Sequence, residues 1–313
     1  MSCELSFVIP VFNSAQSITS VVEEIHAACD DIEYEIVLVN DGSSDESEAV
    51  CLRLKDKYPD VLTFVHLARN FGEHNAVLAG LHQARGHYVA VLDDDGQHPV
   101  AEALRLYAGI KEKKTDVLYG HYRVKRHSFV RNLVSRVNDK LANVMLKKPP
   151  EIYLSSFKVM NRFVVDEVCK YGGAFPYIDG LIFRVTQNIE QIEVEHRDRL
   201  VGESTYTWKK LFLLWLNMFL NFSIRPLRIA ALAGVFMAGL SVLGLIVIVV
   251  DKIWIDPNVT VGIPTVLVTI VLFSGVQLII LGAVGEYLGR VFLDQNGTPQ
   301  FVVRYLKRND KHE

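Results

Sequence analysis

Three consecutive aspartates, Asp93, Asp94 and Asp95, carry the clearest chemical signal in this sequence, and they directly follow an apolar run. Two carboxylates one residue apart can chelate a hard, oxygen-loving cation. A cation held there would bridge a diphosphate and neutralise the charge that develops when a nucleoside diphosphate departs. Acidic residues after a strand can instead cap the next helix. Three in a row repel one another unless a cation lies among them, so this run favours a metal site.

A further carboxylate, Asp41, lies in the turn sequence Asn-Asp-Gly-Ser-Ser-Asp. At the end of a strand this side chain can accept an N–H group from a pyrimidine base, while Gly42 and Ser43 permit close approach of the backbone. The same turn sequence is common where a helix begins, with a serine or aspartate as the cap. The nucleotide hypothesis therefore depends on Asp41 lying at the same edge of the fold as Asp93.

Basic residues form two short groups, one within residues 123–131 and one within residues 197–209. Arginine binds phosphate through a planar fork of N–H donors, so both groups are candidates for phosphate contacts. A surface that faces solvent or lipid headgroups explains such groups equally well. The first group is Arg123, Lys125, Arg126 and Arg131, and the second is Arg197, Arg199 and Lys209.

Up to about residue 121 the chain alternates short apolar runs with amphipathic stretches. This alternation predicts an α/β fold in which helices cover both faces of a doubly wound, mainly parallel sheet. Ligands of such sheets bind at the carboxyl ends of the strands, so we expect the polar loops that follow the first four strands to meet at one edge. The predicted strands are residues 5–12, 35–40, 62–67, 87–92 and 117–119, and the loops are 10–14, 40–45, 68–72 and 93–99.

The C-terminal third is strongly apolar. Aromatic and leucine side chains at intervals of three to four residues predict an amphipathic helix in the membrane interface over residues 206–225, with an ordinary core helix as the alternative. Two apolar runs, about 227–250 and 263–286, each approach the ~20 residues that a helix needs to cross a bilayer. Basic residues flank this pair, and only Lys252 lies between the runs, so both ends are expected in the cytoplasm.

Composition supports this division and argues against other classes of protein. The 313 residues carry a net charge of only −3, so no nucleic-acid partner is expected. The four cysteines have unrelated spacings, which predicts a reducing compartment rather than disulfides or a zinc site. No signal peptide is recognisable, so the first domain is expected in the cytosol. The predicted regions are a catalytic domain (1–205), the interfacial helix (206–225), a two-helix transmembrane hairpin (226–287) and a cytoplasmic tail (288–313).

Several of these segments together resemble family 2 glycosyltransferases with a GT-A fold. The resemblance covers nearly the whole chain and is strongest to polyprenyl-phosphate glycosyltransferases, the branch that includes dolichyl-phosphate mannose synthase, bacterial GtrB proteins and the aminoarabinose transferase ArnC. Singly most of the motifs are unspecific, but in combination they are highly specific. The motifs are residues 8–13 (VIPVFN), 40–45 (NDGSSD), 69–72 (RNFG), 93–99 (DDDGQHP), 202–206 (GESTY) and 285–290 (GEYLGR).

The resemblance implies roles for individual residues. The side chains that border the nucleotide-sugar would be Pro10, Val11, Asn13, Asp41, Arg69 and Asp94. The ligands that hold Mg2+ or Mn2+ against the diphosphate would be Asp93, Asp95 and Gln97. A basic pair beside the site would be Arg123 and Arg126, and the residues that position acceptor or donor phosphate near the membrane would be Arg199, Ser204 and Lys209.

The sequence departs from the family pattern in four places. Ser14 replaces a usual glutamate, Gly96 replaces a leucine after the metal motif, and Thr205 replaces a lysine. A carboxylate that several relatives have is absent from residues 154–158. Glu151 and Asp179 are the nearby acidic residues that could act as a general base, and the sequence does not choose between them.

The expected reaction is an inverting, metal-dependent transfer from a nucleotide-sugar, with UDP favoured as the nucleotide, to polyprenyl (undecaprenyl) phosphate. A phosphate acceptor is already ionised near neutral pH and needs little help from a base, whereas a sugar hydroxyl needs one. The resemblance also implies a cell-envelope pathway, a plasma-membrane location and a homo-oligomer such as a tetramer. The alternatives are a transferase that extends a glycolipid or polysaccharide hydroxyl, and a non-catalytic membrane assembly protein.

Overall fold

The structure is a computed structural model that describes residues 3–122, 152–173, 176–195 and 263–309, together with seven single positions between 232 and 254. The chain divides into two compact units. The first comprises Met1–Leu211 with Thr298–Glu313, and the second is Phe212–Gly297. The predicted interfacial helix (206–225) lies outside the described residues, and the first apolar run (227–250) is described only at single positions.

The first unit alternates strands and helices as the apolar pattern predicts. The first half contains β1 (Leu5–Val11), α1 (Ile18–Ala28), β2 (Tyr34–Asn40), α2 (Ser47–Lys57), β3 (Leu62–Leu67), α3 (Glu73–Leu81), β4 (Tyr88–Val91) and α4 (Val100–Lys113). The second half contains β5 (Val117–Tyr122), β6 (Lys158–Asn161), α5 (Arg162–Cys169), α6 (Ile178–Val185), β7 (Ile189–Val194) and β8 (Val303–Lys307).

The described strands form one sheet in the order β7-β5-β6-β4-β1-β2-β3-β8. The central pairs β4-β1, β1-β2 and β2-β3 are parallel, as is β5-β7, which confirms the mainly parallel sheet. The strand β6 runs antiparallel to both β4 and β5 and joins the two parallel parts. The sheet therefore brings the carboxyl ends of β1 to β4 to one edge, as the sequence predicts.

Helices cover both faces of this sheet. Phe7 and Ile9 of β1 are fully buried in a cluster with apolar residues of α1, α2 and α4. On the other face α3 packs closely, since a Cβ atom on Gly80 would lie 2.4 Å from Cγ1 of Val8. Each fully buried aliphatic or phenyl side chain stabilises the fold by roughly 1.5–3 kcal/mol relative to exposure. The core thus fixes the strand ends on which the site depends.

The four cysteines are free thiols. Cys29 and Cys51 are buried, and Cys3 and Cys169 are partly buried. Burial, together with nearby carboxylates such as Asp94, raises the pKa of Cys51 to about 12. A thiol that stays protonated is a poor nucleophile and metal ligand, so Cys51 serves packing.

The last strand, β8, pairs antiparallel with β3 at the edge of the sheet. Tyr305 donates its hydroxyl hydrogen to Glu48 Oε1 at 2.6 Å, and the amide of Gln300 donates to the carbonyl oxygens of Tyr171 and Gly173. These residues belong to the segment 288–313, for which the sequence predicts a cytoplasmic tail. The strand escapes prediction because most of its side chains are exposed, so it lacks the alternation of apolar and polar residues that marks a half-buried strand.

The continuous described part of the second unit consists mainly of one long helix, α7 (Ile263–Gln295). It begins where the second apolar run was predicted to begin and continues beyond residue 286. Within the described residues it is the one helix long and apolar enough to cross a membrane, over the 21 residues Phe273–Leu293. Large apolar side chains on it, such as Leu278 and Ile279, are exposed to solvent.

Candidate active site

The loops that follow β1, β2, β3 and β4 meet at the carboxyl edge of the sheet. The backbone N–H of Phe12 donates to Asp94 Oδ2 at 2.9 Å, which joins the first loop to the fourth. The N–H of Asn13 donates to Ser43 Oγ at 3.0 Å, which joins the first loop to the second. These contacts confirm that the loops after β1, β2 and β4 converge as predicted. The site is therefore built from loops that hydrogen-bond to one another.

Asp41 fastens the second loop to the third. Its side chain is buried, and its two oxygens accept hydrogen bonds from the backbone N–H groups of Phe71 at 2.7 Å and Gly72 at 2.8 Å. Burial raises the pKa of Asp41, while these two N–H groups oppose that rise by stabilising the charged form. The structure thus gives Asp41 a role that sequence reasoning missed, namely holding the loop that carries Arg69. Contact with the nucleotide remains a prediction for it.

Gly42 allows the same two loops to touch. Its φ is +63°, and a Cβ atom on it would lie 2.5 Å from the carbonyl carbon of Arg69 and from the backbone nitrogen of Asn70. A side chain at this position would therefore be strained and would push the third loop away. The side chain of Arg69 is exposed, and its guanidinium lies 4.6 Å from the ring centre of Phe71. Arg69 is thus presented at the edge by a fixed backbone.

Asp94 is directed toward the loop after β1. Its Oδ2 accepts hydrogen bonds from the N–H of Phe12 and from the hydroxyl of Ser14, the residue that replaces a usual glutamate. Burial raises the pKa of Asp94 to about 6, with a smaller contribution from the charges of Asp93 and Asp95, and the two hydrogen bonds oppose this rise. The middle carboxylate of the three therefore organises the first loop, a role that its predicted place in the nucleotide site did not include.

Asp93 and Asp95 flank this inward residue in the loop after β4. Asp95 Oδ1 accepts the backbone N–H of Gln97 at 3.0 Å, and Asp93 Oδ2 accepts the hydroxyl of Ser156 at 3.0 Å. The turn after Asp95 uses Gly96 with φ +73°, a conformation that glycine adopts without strain. Asp94 thus binds the first loop, while Asp93 and Asp95 accept hydrogen bonds from Ser156 and Gln97.

The two predicted metal-ligand carboxylates, Asp93 and Asp95, fit a site in which a bound substrate completes the coordination of the cation. Among the described residues there is no group of three or more histidine, cysteine, aspartate or glutamate side chains that could hold a metal ion. Mg2+ is commonly held by one or two carboxylates together with substrate phosphates rather than by a cage of protein ligands. Asp93, Asp95 and the amide oxygen of Gln97 suit that mode, in which the diphosphate supplies further oxygens.

Asp179, one of the two candidate bases, lies in a buried ion pair. Its Oδ1 accepts hydrogen bonds from Lys158 Nζ and from the hydroxyl of Tyr119, the latter at 2.8 Å. The side chains of Asp179 and Lys158 are both almost completely buried. Burial raises the pKa of Tyr119 well above its usual value, and the adjacent Asp179 charge raises it further. The ammonium group of Lys158 therefore lies against the carboxylate of Asp179 inside the core.

The remaining predicted residues divide into two sets. Pro10 and Val11 close β1 at the carboxyl edge, and Asn13, with φ 54°, accepts the N–H of Ser44 at 2.8 Å, so all three lie at the predicted edge. The rest lie outside the described residues, and their roles stay predictions. They are Arg123, Arg126, Glu151, Arg199, Ser204 and Lys209.

Sequence reasoning also missed His98 and Ser156, both of which approach Asp93. His98 is buried, and its Nδ1 accepts the backbone N–H of Asp93 at 3.1 Å. His98 directly follows Gln97 in the motif, so its position was a usable signal. Ser156 comes from the segment before β6 and lies 63 residues from Asp93 in sequence, so no local pattern predicts that contact.

Comparisons with known proteins agree with this geometry. Residues 6–169 match the sequence family described as glycosyl transferase family 2. A Bacillus subtilis protein named uncharacterized glycosyltransferase YkcC is 30% identical over 303 residues, which cover 96% of this chain and 93% of that protein. The undecaprenyl-phosphate 4-deoxy-4-formamido-L-arabinose transferase of Pseudomonas fluorescens is 30% identical over 312 residues, which cover 97% of this chain and 91% of that protein.

Solved structures show the fold. Glucosyl-3-phosphoglycerate synthase from Mycobacterium tuberculosis, solved in complex with Mn2+ and UDP-glucose, superposes with a TM-score of 0.51 at 16% identity and covers 68% of this chain and 76% of that chain. The same enzyme in complex with UDP gives a TM-score of 0.50 at 17% identity, again over 68% of this chain and 76% of that chain. The sheet is therefore of the GT-A type, and with its full-length relatives the chain belongs to glycosyl transferase family 2 and is a glycosyltransferase.

Proposed function

We propose that this glycosyltransferase transfers a sugar from a nucleotide-sugar to polyprenyl phosphate, with undecaprenyl phosphate as the natural form. One observation carries the proposal. The relatives named for transfer involving undecaprenyl phosphate align with 97% of this chain, so the similarity includes the apolar C-terminal region as well as the catalytic sheet. A water-soluble acceptor would give no reason to retain that apolar region.

The donor site in this proposal is the carboxyl edge described above. The backbone around Asp41 and Arg69 receives the nucleotide, for which UDP is the first candidate. Asp93, Asp95 and Gln97 would hold Mg2+ or Mn2+ at the diphosphate. The cation would supply Lewis-acid stabilisation of the charge on the leaving group. The interlocked loops contribute preorganisation, because their hydrogen bonds are in place before the substrate arrives.

The reaction follows from the charges of the two substrates. A phosphate oxygen of the lipid attacks the anomeric carbon, the bond from that carbon to the nucleoside diphosphate breaks, and the anomeric configuration inverts. The attacking oxygen carries no proton that a base must remove near neutral pH. Asp179 is held in a buried pair with Lys158, and this proposal assigns it no step in the reaction.

The membrane arrangement is part of the proposal. In it, residues 206–225 would form an interfacial amphipathic helix, and about 227–250 and 263–286 would form a two-helix transmembrane hairpin whose ends are both cytoplasmic. The exposed apolar surface of α7 and the 21 residues Phe273–Leu293 support the second span. The protein would then lie in the plasma membrane as a homo-oligomer such as a tetramer, with the acceptor phosphate at headgroup depth and the product entering cell-envelope glycan assembly.

A transfer assay tests the function. The full-length protein is reconstituted in lipid vesicles that contain undecaprenyl phosphate and is supplied with labelled UDP-, GDP- or dTDP-sugars and with Mn2+ or a chelator. One donor should label the lipid, and the chelator should abolish labelling. Asp95→Ala should lower the rate by on the order of 100-fold or more, because a metal ligand is lost.

Asp31→Ala is the matched control, since Asp31 is exposed and precedes β2 at the opposite edge of the sheet. It should label the lipid at the wild-type rate. A folded, nucleotide-binding protein that labels no lipid phosphate with any donor would contradict the proposal. Labelling of a glycolipid or polysaccharide hydroxyl in the same assay would favour the alternative acceptor.

A further inference from the structure

The orientation of Asp93 is set by two side chains outside the predicted metal-ligand set. Asp93 Oδ2 lies 3.0 Å from the hydroxyl of Ser156 and 3.4 Å from Nε2 of His98. These two groups come from different parts of the fold, one from the segment before β6 and the other from the loop after β4. Two independent elements therefore meet at one oxygen of this carboxylate.

A backbone contact determines which ring nitrogen of His98 carries the hydrogen. The N–H of Asp93 donates to Nδ1 at 3.1 Å, so Nδ1 must be an acceptor without a hydrogen of its own. In the neutral ring the hydrogen then lies on Nε2, which faces the carboxylate. The same residue thus accepts a hydrogen bond from the Asp93 backbone and places a ring N–H group 3.4 Å from the Asp93 side chain.

Packing holds the imidazole in this position. The ring of His98 stacks on Phe157 with a centroid distance of 4.6 Å and an interplanar angle of 15°. Phe157 is fully buried and directly follows Ser156 in the chain. Lys158, the next residue, is anchored by its buried pair with Asp179. Ser156 and His98 are therefore held beside Asp93 by adjoining, well-packed parts of the core.

We infer that His98 and Ser156 are positioning residues that hold the Asp93 carboxylate in the orientation required for binding a divalent cation. The inference rests on the proposed metal site at Asp93 and Asp95. Groups that orient a metal ligand commonly change affinity for the metal by 10–100-fold when they are removed. Neither residue touches the substrate in this account, so both act through Asp93.

Mn2+ binding to the full-length protein in detergent tests the inference without turnover. The free Mn2+ signal in electron paramagnetic resonance is measured during titration in the presence of UDP, with the protein-free Mn2+–UDP mixture as the blank. Ser156→Ala and His98→Leu should each raise the dissociation constant for Mn2+ by on the order of 10-fold. Ser156→Thr, which keeps the hydroxyl, should bind Mn2+ like the wild type.

Loss of folding is separable from loss of orientation in this experiment. Unfolded protein lowers the number of binding sites, whereas a misoriented Asp93 raises the dissociation constant of the sites that remain. Thr186→Val is the control, because it removes a hydroxyl that donates to Asp116 at 2.6 Å, away from the carboxyl edge. It should leave the dissociation constant unchanged.

A second readout is the rate of sugar transfer as a function of Mn2+. The Ser156→Ala and His98→Leu enzymes should recover activity at high Mn2+, because only the affinity for the cation is impaired. Wild-type affinity for Mn2+ in both variants would overturn the inference while leaving the metal site intact. Failure of the wild type itself to bind Mn2+ with UDP would instead refute the proposed metal dependence.

Discussion

The catalytic sheet and helix α7 use the same kinds of apolar residue in opposite ways. Phe7 and Phe64 in the sheet are 0% exposed, whereas Leu278 and Ile279 on α7 are 68% and 73% exposed. The sheet buries its apolar side chains under helices on both faces. The described part of α7 leaves them at the surface. Large contiguous patches of exposed apolar surface mark contact with lipid or protein rather than water.

This difference shows that the two regions bury their apolar side chains in different surroundings. Apolar surface removed from water stabilises the sheet by about 25 cal/mol per Å2. The apolar side chains of α7 gain the same free energy only when the helix enters a bilayer or meets a partner. Substitutions in the two regions should therefore differ in whether they change folding of the catalytic unit.

The largest expected effect is in the buried core of the sheet. Phe64→Ala removes a fully buried ring and should lower the free energy of unfolding of the catalytic unit by about 3–5 kcal/mol. Leu278→Ala on α7 is the matched control and should leave that free energy unchanged. Hydrogen exchange of peptides from β1 to β4, measured on the full-length protein in urea and detergent, reports the difference. Equal losses in the two variants would contradict the division into two environments.

A slightly smaller loss is expected at the buried ion pair. Asp179→Asn leaves the ammonium group of Lys158 buried without its charged partner, which should cost about 3 kcal/mol of unfolding free energy in the same exchange experiment. The double variant with Lys158→Met should recover part of this loss, because the uncompensated charge is gone. If Asp179 is instead the general base, turnover will fall while stability is retained.

The smallest effect is the dependence of stability on pH at Asp94. Its pKa is raised to about 6 in the folded protein from a usual value of 3.8, so the folded state binds the proton more tightly than the unfolded state does. The stabilisation is therefore present below about pH 4 and is lost as the pH rises through about 6. The expected change is at most about 3 kcal/mol in metal-free buffer, because one pKa unit corresponds to about 1.4 kcal/mol.

Asp94→Asn should remove this slope, because an amide does not titrate in that range. Urea unfolding of both proteins between pH 4 and pH 7 is the measurement. Parallel stability curves for the wild type and the variant would show that Asp94 titrates at its ordinary pKa. That result would contradict the conclusion that burial of Asp94 against the first loop raises the pKa of its carboxyl group.

Much of the sheet was predictable because its central strands are continuous apolar runs. The bounds of β1 to β4 agree with the predicted strands to within one residue at each end. Parallel pairing of such runs brings their carboxyl ends together, so the edge that holds Asp41 and Asp93 followed from topology. The strands β6, β7 and β8 were missed, since they are short or mostly polar and depend on neighbours for their position.

The directions of individual side chains at the site were not predictable. Asp94, rather than Asp93, faces the first loop and accepts hydrogen bonds from Phe12 and Ser14, residues about 80 positions away in the chain. The pairing of Lys158 with Asp179 joins β6 to α6 through the tertiary fold, and neither residue has a local signal for it. Sequence periodicity reports which face of an element is buried, and it carries no information about such contacts.

The central claim is that the acceptor is a lipid phosphate, and the most direct measurement compares undecaprenyl phosphate with undecaprenol in the same vesicles with the same donor and Mn2+. The two acceptors share one tail and differ only in the group that attacks. The account predicts labelled lipid with the phosphate, release of one nucleoside diphosphate for each lipid labelled, and no labelling of the alcohol. Transfer to the alcohol, or to a glycolipid hydroxyl while the phosphate stays unlabelled, would contradict it.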